Sequence, residues 1–506
     1  MLTRRHFIAT GAAALSAAPS ILRAQAQWRA NPFSLGIASG DPAPDGFVIW
    51  TRLAPDPLDA HGGMTPDSMP VTWEVASDEG FGAIVAKGEA LARVELAHSV
   101  HVEVAGLRPD RSYFYRFVAG GERSVVGRAR TLPALTATPN RLRFAMCGCQ
   151  DYQSGYYTAY RHMADEELEF VFHYGDYIYE YGPDTPAVRQ HSSPLISSLD
   201  DYRRRYAQYK ADPDLQAAHA AHPFFVTFDD HEVRNNWAGD VDDDDGAPPA
   251  EVFRLRRQSA FQAWYEHMPA RRRQLPSGSA LNLYRSARYG DLARLDFLDT
   301  RQFRTNQPCG DGYRVACAEV TSPAAHMINA EEEAWLVRNL RRRDVRWNAV
   351  AQQVMMMSLD RRWASENAPR KLLNLDSWAG YEAQRRRLLA RMRGLDNVVV
   401  LTGDEHTAYA GLLHDRDKPV AVEIVGTSIS SDGDGQDIPP WGPSFMANNR
   451  ELKFINNLRG YVTCDVTHDE WRSNFMVVDK ISTRGGKLSK RATLAVARGE
   501  PTLHQA

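Results

Sequence analysis

The 506 residues carry 60 Lys and Arg against 63 Asp and Glu, a formal charge of −3, with 43% hydrophobic and 24% charged residues. These proportions are ordinary for a globular chain and exclude a disordered protein, a collagen-like fibre and a polytopic membrane protein. Near-neutral charge argues against a stable nucleic-acid complex, which needs a basic surplus to neutralise phosphate. Single cores stop growing at roughly 250–300 residues, so two domains are expected. The 5 cysteines are too few for a disulfide scaffold.

Residues 1–26 read as an export segment. Arg4-Arg5 precede Phe7 and a weakly apolar stretch, and Ala24-Gln25-Ala26 is a cleavage cue. The pattern resembles a twin-arginine signal and implies a bacterial protein handed to the twin-arginine machinery and released, without a transmembrane anchor, as a periplasmic or secreted product.

From 31 to 133 the chain reads as a small β-sandwich. Gly46–Arg52, Val71–Val75, Val100–Val104 and Tyr113–Val118 alternate in character between Gly and Pro turns. A Pro/Thr/Ala linker follows, and from 140 to 483 strands alternate with helices, which predicts an α/β layered domain. The strand candidates are Leu142–Met146, Phe170–Tyr174, Phe224–Phe228, Leu292–Leu298, Ala349–Met356 and Val398–Leu401, then Ala421–Val425, Gly460–Asp465 and Asn474–Val478. Helices are expected from Asn329, an N-cap with Glu332 at its third helical position, to Arg343, and from Ser377 to Arg393. Residues 484–506 form a polar tail that either folds over the site or frays.

Ligand-type residues recur where apolar strands end. Cys147 and Cys149 follow the first, Asp176 and Tyr179 the second, and Asp229, Asp230, His231, Arg234, Asn235 and Asn236 the third. Asp299 and Arg301 follow the fourth, and Asp404 and His406 follow Val398–Leu401. Such placement fits one site at the carboxyl edge of a sheet. Asp supplies hard oxygen and His nitrogen, while tyrosinate and thiolate favour a trivalent or soft transition metal.

The order Gly-Asp-x-x-Tyr, Asp-Asp-His-Glu, Gly-Asp-x-His resembles the metallophosphoesterase superfamily. Gly148-Cys149-Gln150-Asp151-Tyr152, the stretch Phe228 to Trp237, and Ser34 to Pro42 with Val48 to Arg52 are similar to the PhoD-like alkaline phosphatases. The resemblance covers nearly the whole chain after residue 26. It implies a layered αββα sandwich behind the N-terminal β-sandwich, ferric iron (Fe3+) with calcium (Ca2+), and hydrolysis of phosphate mono- and diesters by direct attack of a metal-bound oxygen. Position by position it implies Cys149, Asp176, Tyr179, Asp230, Asp404 and His406 as metal ligands, with Cys147 as the alternative thiolate. His231 would serve the leaving group, and Arg234, Asn235 and Asn236 would contact phosphate or metal. Asp229, Asp299 and Arg301 are either supporting pairs or direct contacts. Alternative functions are a phospholipase-D-type phosphodiesterase on the same site and a noncatalytic surface-binding protein.

Other features have structural readings. Cys309 and Cys317 form a local disulfide, Cys464 is buried, and Met355, Met356 and Met357 belong to a core strand. The Asp242–Asp245 run is a solvated loop, and Arg203–Arg205, Arg341–Arg343 and Arg385–Arg387 are solvated helix faces.

Overall fold

Interior strands of parallel sheets are covered on both faces and read as unbroken apolar runs. Val398–Thr402 and Trp347–Ala351 are of this kind, buried along their whole lengths. The computed structural model describes residues 28–242, 247–364, 370–395 and 397–506, so the export segment lies outside the described residues. Its centre is two stacked sheets. One has ten strands, in which Arg141–Cys147, Val171–His173, Pro223–Val226 and Ile37–Ala43 run parallel. The other has seven, with Ala293–Phe297, Trp347–Ala351, Val398–Thr402 and Lys418–Val425 parallel at its middle.

Phe144, Phe172, Phe225, Phe297, Leu401 and Trp471 fill the space between the sheets. Helices cover the outer faces. Leu199–Lys210 and Ala250–His267 pack Tyr206 and Trp264 on the ten-stranded sheet, while Ala330–Leu340 and Glu382–Met392 pack Leu336 and Leu388 on the seven-stranded one. The expected αββα layering is therefore present.

The β-sandwich is present too, but one leaf is not its own. Gly46–Arg52 and Ser99–Val104 extend the ten-stranded sheet through Ile37–Ala43, which pairs with Pro223–Val226. Met69–Ala76 and Ser112–Ala119 lie in a separate sheet, and Val71, Val75, Tyr115 and Phe117 meet Phe47, Ile49 and Val100 in a shared core.

Several expectations are corrected. The tail neither frays nor covers the site: Leu488–Ala497 pairs with Glu470–Val478 and prolongs the central sheet. Met355, Met356 and Met357 are buried, but the strand ends at Ala351. The chain leaves the sheet there, and Glu423 accepts from the amides of Met356 and Met357 at 2.7 and 2.6 Å. Arg203 and Arg205 are buried rather than solvated, because Arg203 pairs with buried Glu266 at 2.7 Å and Arg205 donates to the carbonyls of Tyr179 and Tyr181. Asp242 is buried beside Arg234 and Arg256, not solvated. Asn329 caps its helix by accepting from Glu332 N at 2.8 Å, yet Glu332 turns away to accept from Asp299 N at 2.8 Å. The helix expected from Ser377 starts as a 3-10 turn, and its α-helical part spans Glu382–Met392. Cys309 and Cys317 do form a disulfide, and Cys464 is buried.

Candidate metal centre

Because the parallel strands of both sheets point the same way, their carboxyl ends deliver polar loops to one edge. Six residues there hold left-handed backbone: Cys149, Asp176, Asn236, Asp404, His406 and Asp432 have φ between 50° and 68°. Each such non-glycine conformation costs about 1–3 kcal/mol and survives only where surroundings enforce it. Tyr174 supplies part of that enforcement. Its buried ring lies where a Cβ on Gly148, Gly403 or Gly426 would stand 2.3, 2.1 or 2.7 Å from it, so three strand ends close on one aromatic side chain.

Three groups of ligand atoms share members. Cys149, Asp176 and His406 offer atoms within 4.8 Å of one another, as do Asp176, Asp230 and His231, and again Asp229, Asp230 and Asp404. Tyr179 belongs with the first group: its hydroxyl lies 3.1 Å from Asp176 Oδ2, 3.0 Å from His406 Nε2 and 2.7 Å from Ser431 Oγ. Asp176 Oδ1 and Asp230 Oδ1 are buried without a hydrogen-bond partner among the described residues. Two orphaned carboxylate oxygens inside such a cluster fit cations, since burying them bare would be costly. Thiol, phenol, imidazole and carboxylate suit a ferric ion, and the all-carboxylate group suits a hard, oxygen-seeking ion such as calcium.

The charge balance agrees. Burial, reinforced by Asp176 and Asp404, raises the Cys149 thiol far above its usual range, and burial with Asp176 does the same to Tyr179. Burial and then Asp229 raise Asp404, while burial lifts Asp229 to about 8 against the pull of Arg301. Cations entering here would displace these protons.

Arg301 is the fixed cation of the site. Fully buried, it donates to Asp229 Oδ1 at 2.5 Å, pairs with Asp376 at 2.9 Å and lies 3.7 and 3.6 Å from Asp230 and Asp404. Of the residues with two readings, Arg301 and Asp229 thus sit inside the cluster. Asp299 instead accepts from the amides of Arg301 and Gln302 and supports the loop. Cys147 faces away, its sulfur 3.8 Å from Tyr160 Oη. Arg234 is engaged with Glu180 at 3.4 Å, and Asn235 gives its backbone amide to Glu180 at 2.9 Å. Asn236 donates its amide to Asp230 and its side chain to Asp311, each at 2.7 Å.

Four carboxylates had no role in the sequence reading. Glu180 holds His231 Nδ1 at 2.8 Å, and Asp432 holds His406 Nδ1 at 2.8 Å. Glu232 accepts from the amides of Asp176, Tyr177 and Asp229, tying two ligand loops together. Asp376 buttresses Arg301 and Arg304. Glu180 and Glu232 stand beside Tyr179 and His231 in the chain, and Asp432 follows Lys418–Val425, so the strand-end pattern extended one strand further finds it. Burial opposes protonation of His406, but Asp432 and Asp176 carry it to about 9. Burial likewise opposes protonation of His231, and Asp230 and Glu180 raise it well above the ordinary imidazole value.

A family model for the PhoD-like phosphatases matches residues 144–475, and one for their N-terminal domain matches 16–133. The chain belongs to the PhoD-like phosphatase family. Alkaline phosphatase D of Bacillus subtilis (strain 168) is 44% identical over 507 aligned residues, which span 98% of this chain and 85% of that protein. A solved structure of PhoD superposes with a TM-score of 0.91 at 44% identity, covering 94% of this chain and 92% of that one. The purple acid phosphatase PPD1 from yellow lupin shares the fold, with a TM-score of 0.55 at 13% identity over 91% of this chain and 74% of that one. Membership of the PhoD-like phosphatases makes the chain a phosphoric ester hydrolase, as its motifs implied. No helix among the described residues is long and apolar enough to cross a membrane.

Proposed function

We propose that this chain is an exported alkaline phosphatase and phosphodiesterase working at an iron–calcium centre. The observation that carries the reading is the shared-ligand cluster, in which Asp176 belongs to two groups and Asp230 to two. Cys149, Asp176, Tyr179 and His406 would hold ferric iron, and Asp229, Asp230 and Asp404 calcium. Bound there, the two cations neutralise charge on a phosphoryl group and acidify water. Arg301 keeps the carboxylates from repelling one another and fixes their spacing. Glu180 sets His231 with Nδ1 engaged, so Nε2 is the nitrogen free to hand a proton to the departing oxygen. No Ser or Thr stands within the motifs Gly175–Tyr179, Asp229–Glu232 or Gly403–His406, which favours a single displacement by water over a covalent phosphoenzyme.

Elemental analysis of purified protein, with p-nitrophenyl phosphate and bis-p-nitrophenyl phosphate as substrates, tests the reading. Iron and calcium with turnover of both esters is expected. Full zinc occupancy without iron, or hydrolysis of neither ester, overturns it. Cys149→Ala should lose iron while Cys147→Ala keeps it. Arg4-Arg5 preceding Phe7 supports twin-arginine export to the periplasm. Replacing both arginines by Lys should strand precursor in the cytoplasm, and normal yield outside would refute that route.

A further inference from the structure

On the outer face of the seven-stranded sheet, helix Glu382–Met392, the hairpin of Ala408–Asp415 with Lys418–Val425, and residues 450–453 border a groove of about 1100 Å³. Lys371, Arg386, Arg393, Arg416, Arg450 and Lys453 line it and are exposed. Its carboxylates sit lower and are largely committed. Glu382 pairs with Arg385 and Arg386 at 3.1 and 2.7 Å, Asp415 pairs with Arg393, and their side chains are only 15% and 11% exposed. Asp417 and Glu451 are the remaining acids. No carboxylate pairs with Arg416 or Arg450 among the described residues, and Lys453 donates only to the Arg450 carbonyl, at 2.6 Å. In a chain whose formal charge is −3, this is a local excess of cations.

The groove lies away from the metal centre. Strand Ala408–Asp415 begins beside His406 and first reaches the groove at Leu412, so at about 3.3 Å per residue the groove starts roughly 13 Å along the strand and its far end, at Asp415, lies roughly 23 Å along it. Cations spread along a channel suit a ligand with repeated charges, because each neutralised contact releases counterions. Faces that bind anionic membranes combine cations with apolar side chains that insert. None of the exposed large hydrophobic residues of the described chain lines this groove.

We propose that the groove is a docking site for a linear polyanion with repeating phosphate groups, distinct from the catalytic centre. End-labelled long-chain inorganic polyphosphate, titrated with the metal-loaded enzyme across a range of salt and read by fluorescence anisotropy, tests it. The Arg416→Glu/Arg450→Glu/Lys453→Glu variant should bind about tenfold more weakly at low salt, with a log-affinity against log-salt slope shallower by about 2. Its hydrolysis of p-nitrophenyl phosphate should be unchanged, and because binding is read directly, a failed catalytic reading would not mask the result. Undiminished polymer binding by the variant overturns the proposal. So does equal weakening when Arg161, Arg484 and Lys487, which line a second groove, are reversed instead, since the attraction would then be diffuse. Capture of phosphatidylglycerol vesicles without polymer binding would assign the groove to a membrane and also overturn it.

Discussion

His231 donates from Nδ1 to the buried carboxylate of Glu180 at 2.8 Å, and that carboxylate also gathers Asn235 N at 2.9 Å and Arg234 at 3.4 Å. Glu180 therefore fixes the tautomer and tilt of the imidazole grouped with Asp176 and Asp230, and adds to the pull of Asp230 that keeps it protonated. Removing the Glu180 charge should lower the His231 pKa, so protonated imidazole is lost at lower pH. In Glu180→Gln the alkaline limb of kcat should move to lower pH. An alkyl phosphate should lose roughly ten- to a hundredfold in rate, within the usual worth of general-acid help. p-Nitrophenyl phosphate, with a leaving group that scarcely needs a proton, should lose much less. Equal losses on both substrates would show that Glu180 serves structure alone.

The Tyr174 ring leaves no room at its three glycines. Gly403→Ala places a methyl 2.1 Å from a ring carbon while the backbone of Gly403 is not left-handed, so the penalty is purely steric. A loss of about 1–3 kcal/mol is expected from overpacking. It should appear as a lower Tm in thermal unfolding, together with weaker metal retention, because Asp404 is the next residue. An unchanged Tm would mean that the ring can move aside.

Lys210 is buried with its ammonium 4.1 Å from the Trp50 ring, and burial pulls its pKa from 10.5 down to about 7. Between those values the unfolded chain binds more protons than the folded one. Stability must therefore rise with pH across that window, by up to about 1.4 kcal/mol per unit. Lys210→Met should flatten this part of the profile in denaturant unfolding. An identical slope in both proteins would show that the amine is charged in the fold.

Arg301 stands among Asp229, Asp230, Asp376 and Asp404. Breaking such a buried pair by removing one partner typically costs about 3–5 kcal/mol. Arg301→Leu should show a loss of that order after chelation, and a smaller one with metal restored, since cations then neutralise the same carboxylates. If restored metal leaves the deficit as large, Arg301 and the ions do not share those charges.

The strands that carry the site were legible because an apolar run ending in Gly-Asp or Asp-Asp-His is a local signal. Asp176, Tyr179, Asp230, His231, Asp404 and His406 meet at one edge for that reason. What escaped depends on partners distant in the chain. Arg203 and Arg205 look solvated on a helix until Glu266 and the carbonyls of Tyr179 and Tyr181 are set beside them. Glu332 reads as a capping residue until Asp299 N arrives to claim it. Ile37–Ala43 reads as part of a self-contained sandwich, and only its pairing with Pro223–Val226 shows the sheet running on.

That pairing, and the matching one of Gly460–Thr467 with Arg141–Cys147, sets the order in which the centre can exist during synthesis. The strands leading to Cys149, Asp176 and Asp230 are flanked on one side by the first strand of the described chain and on the other by one of its last. A nascent chain that has left the ribosome only as far as His406 has every ligand in hand, yet one border of that sheet is still missing. Contacts of such long sequence separation form slowly. Metal capture should therefore wait until Gly460–Thr467 has been synthesised, and a cell that exports this enzyme folded would have to hold it until that strand is in place.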